Sequence, residues 1–197
     1  MLAHAALALA LVIRVYDAYG VAPSTLATAR GSAERIMASA GIHVTWVQCP
    51  CDETVGGAEL VLRVISAPPS RNAGELGFSY VDTVQKSGTL ATIFADRVQR
   101  LARLANASDA ELLGRAMAHE IAHLLFGTRD HAPVGLMRAM WTSSELAGNR
   151  PIDWQFSPRD SARLRQSLIR RLRVAPGPTA VMAADADLPA ASSVSAQ

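Results

Sequence analysis

His119-Glu120-Ile121-Ala122-His123 is an HExxH motif. On a helix its two histidines leave one face a turn apart and can share a metal ion. The glutamate stands about 100° round the helix, within reach of a water held by that metal. Zinc and a basic carboxylate are the minimal apparatus for hydrolysing a peptide bond. A metal that keeps a position open for water takes a third protein ligand. His131 is the leading candidate, eight residues after His123 and beyond Gly127, where the chain can turn back. Asp130 and Glu145 are the alternatives, because carboxylates also bind zinc. The competing explanation is two hydrogen-bonded core histidines beside a glutamate paired with an arginine.

The motif needs a helix, and the surrounding residues supply one. Ser108-Asp109-Ala110-Glu111 reads as a capping box, with Ser108 as N-cap and Glu111 reaching back. The helix then spans residues 109–126, and Gly127 closes it in the left-handed conformation. Ala116, Met117, Ala118, Ile121, Ala122, Leu124, Leu125 and Phe126 make its later turns apolar almost all round, the mark of a buried helix. Two imidazoles and a carboxylate are costly there without partners, and a metal satisfies all three.

Upstream, residues 11–16 read as a strand, 25–40 as a helix capped by Ser24 and closed by Gly41, and 42–47 as a second strand. Strand, helix, strand implies a parallel pair with a crossover. Residues 60–65 make a third strand, 77–81 a short fourth, and 89–96 a fifth that passes into a helical 97–105. Ser157 and Pro158 open a last helix to residue 173. Leu164, Leu168 and Leu172 form its docking stripe, and its six arginines read as a solvated face.

The run from His119 to His131, followed by Pro133-Val134-Gly135-Leu136-Met137, resembles the metzincin group of zinc metallopeptidases. Their pattern is HExxHxxGxxH and then a tight turn with a methionine under the metal. Here the glycine stands four residues after the second histidine and the third histidine eight, one and two further than the pattern. A helix one residue longer and a loop one residue wider account for the difference. The resemblance covers residues 11–141, by motif at His119–His131 and by architecture before it. It implies an α+β fold: a twisted mixed sheet of about five strands, a crossover helix, a buried active-site helix, a Met-turn and a C-terminal helix. It also implies His119, His123 and His131 as zinc ligands, Glu120 as general base and Met137 as the Met-turn methionine. In that family an extended substrate pairs antiparallel with the short fourth strand, by position residues 77–81; an ordinary edge strand that binds nothing is the alternative. The activity implied is a zinc-dependent endopeptidase working through a zinc-bound water activated by Glu120. A catalytically silent zinc-binding or interaction domain, and a zinc peptidase using Glu145 as third ligand, are the alternatives.

Composition sets the remaining bounds. The 197 residues suffice for one core, expected over residues 11–173, with a signal-peptide remnant over 1–10 and a disordered Ala/Pro/Ser-rich tail over 174–197. The Ala/Leu run over residues 1–12 is similar to the apolar part of a signal peptide but lacks a positive start; the metzincin resemblance implies export, with a cytoplasmic location the alternative. A net charge of +2 points to no acidic partner, and the partner expected is a peptide or protein rather than nucleic acid. No apolar run is long enough to span a membrane, and a monomer is expected. Cys49 and Cys51 have no second Cys/His cluster to complete a zinc site and read as two unbridged thiols. His43 reads as an ordinary strand residue.

Overall fold

The computed structural model describes residues 9–50, 55–71 and 74–174. Its strands are β1 (Leu9–Asp17), β2 (Ile42–Cys49), β3 (Leu60–Ile65), β4 (Gly77–Asp82) and β5 (Ser87–Phe94). They form one sheet in the order β2-β1-β3-β5-β4. β1 pairs in parallel with β2 and β3, β3 in parallel with β5, and only β4 runs antiparallel, at the edge beside β5. The helices are α1 (Pro23–Ser39), α2 (Ala95–Leu104), α3 (Asp109–Phe126), α4 (Ser143–Gly148) and α5 (Pro158–Val174). This is the mixed α+β architecture expected from the sequence. Among the described residues, no helix is long and apolar enough to cross a membrane.

Alternation places the core. Leu11, Ile13 and Val15 on β1 and Leu60, Leu62 and Val64 on β3 point to one face, and all are buried. Helices α1 and α3 cover that face, contributing Ala29, Ala33, Met37, Leu112, Met117, Ile121 and Leu124. Because α3 packs against β4 and β5 and is flanked by α1, α2 and α5, nearly every residue of it from Ala110 to Phe126 is buried, as its apolar run predicts.

Several boundaries differ from expectation. β1 begins at Leu9, since pairing with β2 runs from Leu9↔Ile42 to Tyr16↔Cys49. Residues 9 and 10 therefore belong to the sheet. α1 starts at Pro23, with Ala22 at the cap position and no side-chain cap. A proline at the first helical position lacks only an N–H that had no partner there. Ser24 sits inside the helix, where its carbonyl accepts from Thr28 Oγ1 at 3.0 Å. β5 gives way to α2 at Ala95, and the Asp96 carboxylate accepts from Ala67 N at 2.8 Å.

The arginines of α5 are less solvated than their number suggests. Arg171 donates to the carbonyls of Ala58, Glu59 and Gly88, Arg165 to that of Ala40, and Arg163 lies over the Phe126 ring. Burial lowers the Arg171 pKa, the expected price of tying α5 to strand ends from inside. Leu164 and Leu168 are buried, whereas Leu172 is 42% exposed and outside the docking stripe. Cys49 is disulfide-bonded, contrary to the expectation of two unbridged thiols. Cys51, the proposed signal remnant up to residue 8 and the tail from residue 175 lie outside the described residues.

Candidate metal centre

Both ends of α3 are set locally. At the start, Ser108 Oγ accepts from Glu111 N at 3.2 Å. The expected capping box is only half formed, because the Glu111 carboxylate turns to α1 and accepts from Ser32 Oγ at 2.7 Å and Arg35 at 2.9 Å. At the other end Gly127 adopts φ 64°, ψ 33° and its N–H donates to the His123 carbonyl. A Cβ there would stand 2.1 Å from the Lys86 carbonyl carbon, so the β4–β5 turn closes against a bare backbone. The glycine falls four residues after His123 because the helix runs to Phe126 before it turns.

The imidazoles of His119 and His123 converge. His119 Nδ1 lies 3.0 Å from the Leu136 carbonyl oxygen, and His123 Nδ1 lies 2.9 Å from that of Thr128. A carbonyl only accepts, so each Nδ1 carries the proton. In a neutral ring the Nε2 then presents its lone pair. Both rings are neutral across the physiological range: burial, then the neighbouring His123, lower the His119 pKa to about 3, and burial lowers His123 to about 4. The two Nε2 atoms face each other at 3.0 Å. Two lone pairs at that distance repel, and a cation between them converts the repulsion into ligation.

The third imidazole completes the group. The His131 ring centre lies 5.4 Å from that of His119 and 4.9 Å from that of His123. One ligand atom from each histidine falls within 4.8 Å of the others. His119 and His123 are buried and His131 is exposed, which leaves the group open on one side. Burial lowers the His131 pKa, with Asp130 opposing.

Glu120 is buried beside them. Its carboxylate accepts from Ser79 Oγ at 2.7 Å, and among the described residues no arginine pairs with it. Burial raises its pKa to about 7; the Ser79 hydrogen bond opposes the rise and Glu75 adds to it. Beyond His131 the chain turns at Gly135 (φ 74°), with Ala132 N donating to Met137 O at 2.8 Å and Leu136 N to Gln155 O at 3.0 Å. Met137 and Leu136 are buried there.

With this geometry, archaemetzincin from Methanopyrus kandleri is a structural neighbour: 86% of this chain aligns with the whole of that one at a TM-score of 0.54 and 16% identity. The fold is that of the metzincins. Myroilysin aligns more loosely, at 15% identity over 77% of this chain and 70% of that one with a TM-score of 0.36, and adds no detail. No protein-family model and no curated protein matches the sequence.

Within the metzincin fold the other expected candidates stay apart from the histidines. Glu145 accepts from Thr142 N and Thr142 Oγ1, both at 2.8 Å, and pairs with Arg138. It forms the reciprocal capping box of α4. Hydrogen bonds from Thr142 lower its pKa, the reverse of a carboxylate waiting unpaired. Asp130 is exposed and outside the histidine group. Four participants escaped the sequence: the carbonyls of Thr128 and Leu136, Ser79, and Trp141. The Trp141 ring stands edge-on to His119 at 5.7 Å, and its indole N–H donates to Leu136 O at 3.3 Å. Backbone carbonyls have no residue type to betray them, and a serine in a strand carries no distinguishing signal.

Proposed function

We propose that this chain is a zinc-dependent endopeptidase in which His119, His123 and His131 hold the metal and Glu120 is the general base. The observation that carries the reading is the pair of Nε2 atoms 3.0 Å apart, each forced by a carbonyl on its Nδ1 to present a lone pair. Zn–N bonds of about 2.0–2.1 Å at tetrahedral angles separate ligand nitrogens by roughly 3.3 Å, close to what the apposed rings provide. The backbone carbonyls on both Nδ1 atoms match the outer partners that orient metal-ligating histidines. Zinc held there would supply a Lewis acid for the scissile carbonyl and would acidify the attacking water.

The chain's own groups do the rest. Glu120, with a pKa of about 7 before any metal is bound, takes the proton of the attacking water and returns it to the leaving amine. β4, at the sheet edge, offers unpaired backbone groups to an extended peptide, and its antiparallel pairing would lay the scissile bond beside the histidines. Met137 serves as the Met-turn residue, buried next to Leu136, whose carbonyl meets His119.

The test is zinc content and hydrolysis of an unfolded protein substrate, with Glu120→Gln alongside. The parent should carry about one zinc per chain and cleave. The variant should keep the metal and lose turnover by roughly 10²–10⁴-fold, the usual worth of a general base. Undiminished turnover in the variant removes the base assignment. A zinc-loaded parent that cleaves nothing leaves a silent zinc-binding domain instead.

A further inference from the structure

The edge strand also reaches the glutamate of α3. Gly77, Ser79 and Val81 share one face of β4 by the two-residue period, and that face looks toward α3. A Cβ on Gly77 would lie 2.6 Å from Thr92 O and 3.2 Å from Glu120 Cγ, so the glycine lets β4 lie close to β5 with the glutamate's stem beside it. Two residues on, Ser79 Oγ stands 2.7 Å from Glu120 Oε2 and 2.8 Å from the Glu120 carbonyl oxygen. The hydroxyl has a single proton, and an ionised carboxylate is the stronger acceptor of the two. The other oxygen, Oε1, has no hydrogen-bond partner among the described residues. One oxygen is held and the other is free to work.

We propose that Ser79 is the positioning residue of Glu120, its hydroxyl anchoring one carboxylate oxygen from the substrate-pairing strand so that the other faces the water. This rests on the peptidase reading above. It assigns a task to a side chain that touches no ligand atom of the histidine group. It also makes one strand responsible for both substrate register and base orientation: a peptide paired along β4 is located by the same backbone that locates the carboxylate. The rival explanation is a tether, in which Ser79 merely ties β4 to the Glu120 carbonyl on α3.

Ser79→Ala and Ser79→Thr separate the two, in the full zinc-loaded chain and in a cobalt-substituted form whose visible spectrum reads the metal's surroundings. Ser79→Ala should lower kcat by roughly 10–100-fold, as loss of an outer partner at a metal site does. KM and metal stoichiometry should hold, and the cobalt spectrum should shift. Ser79→Thr keeps the hydroxyl and should restore both kcat and spectrum. An unchanged kcat and spectrum in Ser79→Ala, with only a lower melting temperature, overturns the proposal and leaves a tether. If the parent proves inactive while the spectrum still follows the hydroxyl, the peptidase reading fails and the Ser79–Glu120 coupling survives. If the parent cleaves and neither readout follows the hydroxyl, the coupling fails and the peptidase reading stands.

Discussion

The histidine group is assembled from two kinds of chain. Helix α3 carries His119 and His123 on a regular backbone that is buried along nearly its whole length. The segment from Gly127 to Trp141 carries His131 and the carbonyls of Thr128 and Leu136 without a regular element. Its backbone contacts include Asp130 N to Thr128 Oγ1, Ala132 N to Met137 O, and Leu136 N to Gln155 O. The helix decides where two nitrogens stand. The loop decides which nitrogen of each ring is protonated, and so whether those two can ligate at all. Placement and chemistry of one pair therefore come from different parts of the chain, and they should fail differently.

Removing ligands tests this most strongly. His119→Ala or His123→Ala should abolish stoichiometric zinc, a loss well beyond the roughly 10–100-fold that an outer partner costs. His131→Ala should weaken zinc sharply yet leave a measurable two-histidine site. Competition against a chelator of known affinity ranks the three. Equal losses in all would erase the distinction between helix and loop.

Next in size is the joint between them. Gly127→Ala puts a Cβ into left-handed backbone and against the Lys86 carbonyl. Overpacking costs about 1–3 kcal/mol and left-handed backbone about 1–2, so a loss of roughly 2–5 kcal/mol is expected from denaturant unfolding. Zinc affinity should fall with it, because the loop loses its departure angle. A stable variant with normal zinc would show that the loop is positioned from its far end instead.

A smaller effect belongs to the metal-free protein. His119 and His123 have folded pKa values of about 3 and about 4, below their ordinary 6.5. Lowered values mean that the unfolded chain binds protons first, so the contribution is complete above about pH 6.5 and is lost as pH falls toward those values. Glu120, raised to about 7, has the opposite sign: its contribution is complete below its ordinary 4.5 and is lost as pH rises through 7. Between pH 6.5 and 4.5 two histidines oppose one glutamate, and the chelated protein should lose stability on acidification. His123→Ala should flatten the slope measured by denaturant midpoints. A slope that survives in that variant points to groups elsewhere.

The smallest expected effect is also the sharpest on ligand identity. Glu145→Gln should leave zinc content unchanged and cost only the helix cap it forms with Thr142 and the ion pair with Arg138. Loss of zinc there would move the third ligand from the loop to α4.

What could be read ahead of the structure followed a physical boundary. The limits of α3 and β3 agree with expectation at both ends, because caps, a left-handed glycine and alternating burial act within a few residues. Glu111 departs from its expected capping role for the complementary reason: its partners, Ser32 and Arg35, lie on α1, more than seventy residues earlier in the chain. Arg165 and Arg171, read as solvated, find carbonyls that only the docking of α5 brings near. Cys49 was expected to be unbridged, since spacing alone argued against a bond.

The sequence by itself determined the HExxH pair, its common helix face and its buried surroundings, since a period of 3.6 residues acts wherever the helix forms. Only the tertiary structure decided that His131 joins the pair while Glu145 does not. It alone decided that two loop carbonyls fix the tautomers and that a strand serine holds Glu120. Those outcomes depend on groups distant in the chain and, for the carbonyls, on atoms that every residue possesses. Their roles arise from position in space, which no residue type encodes.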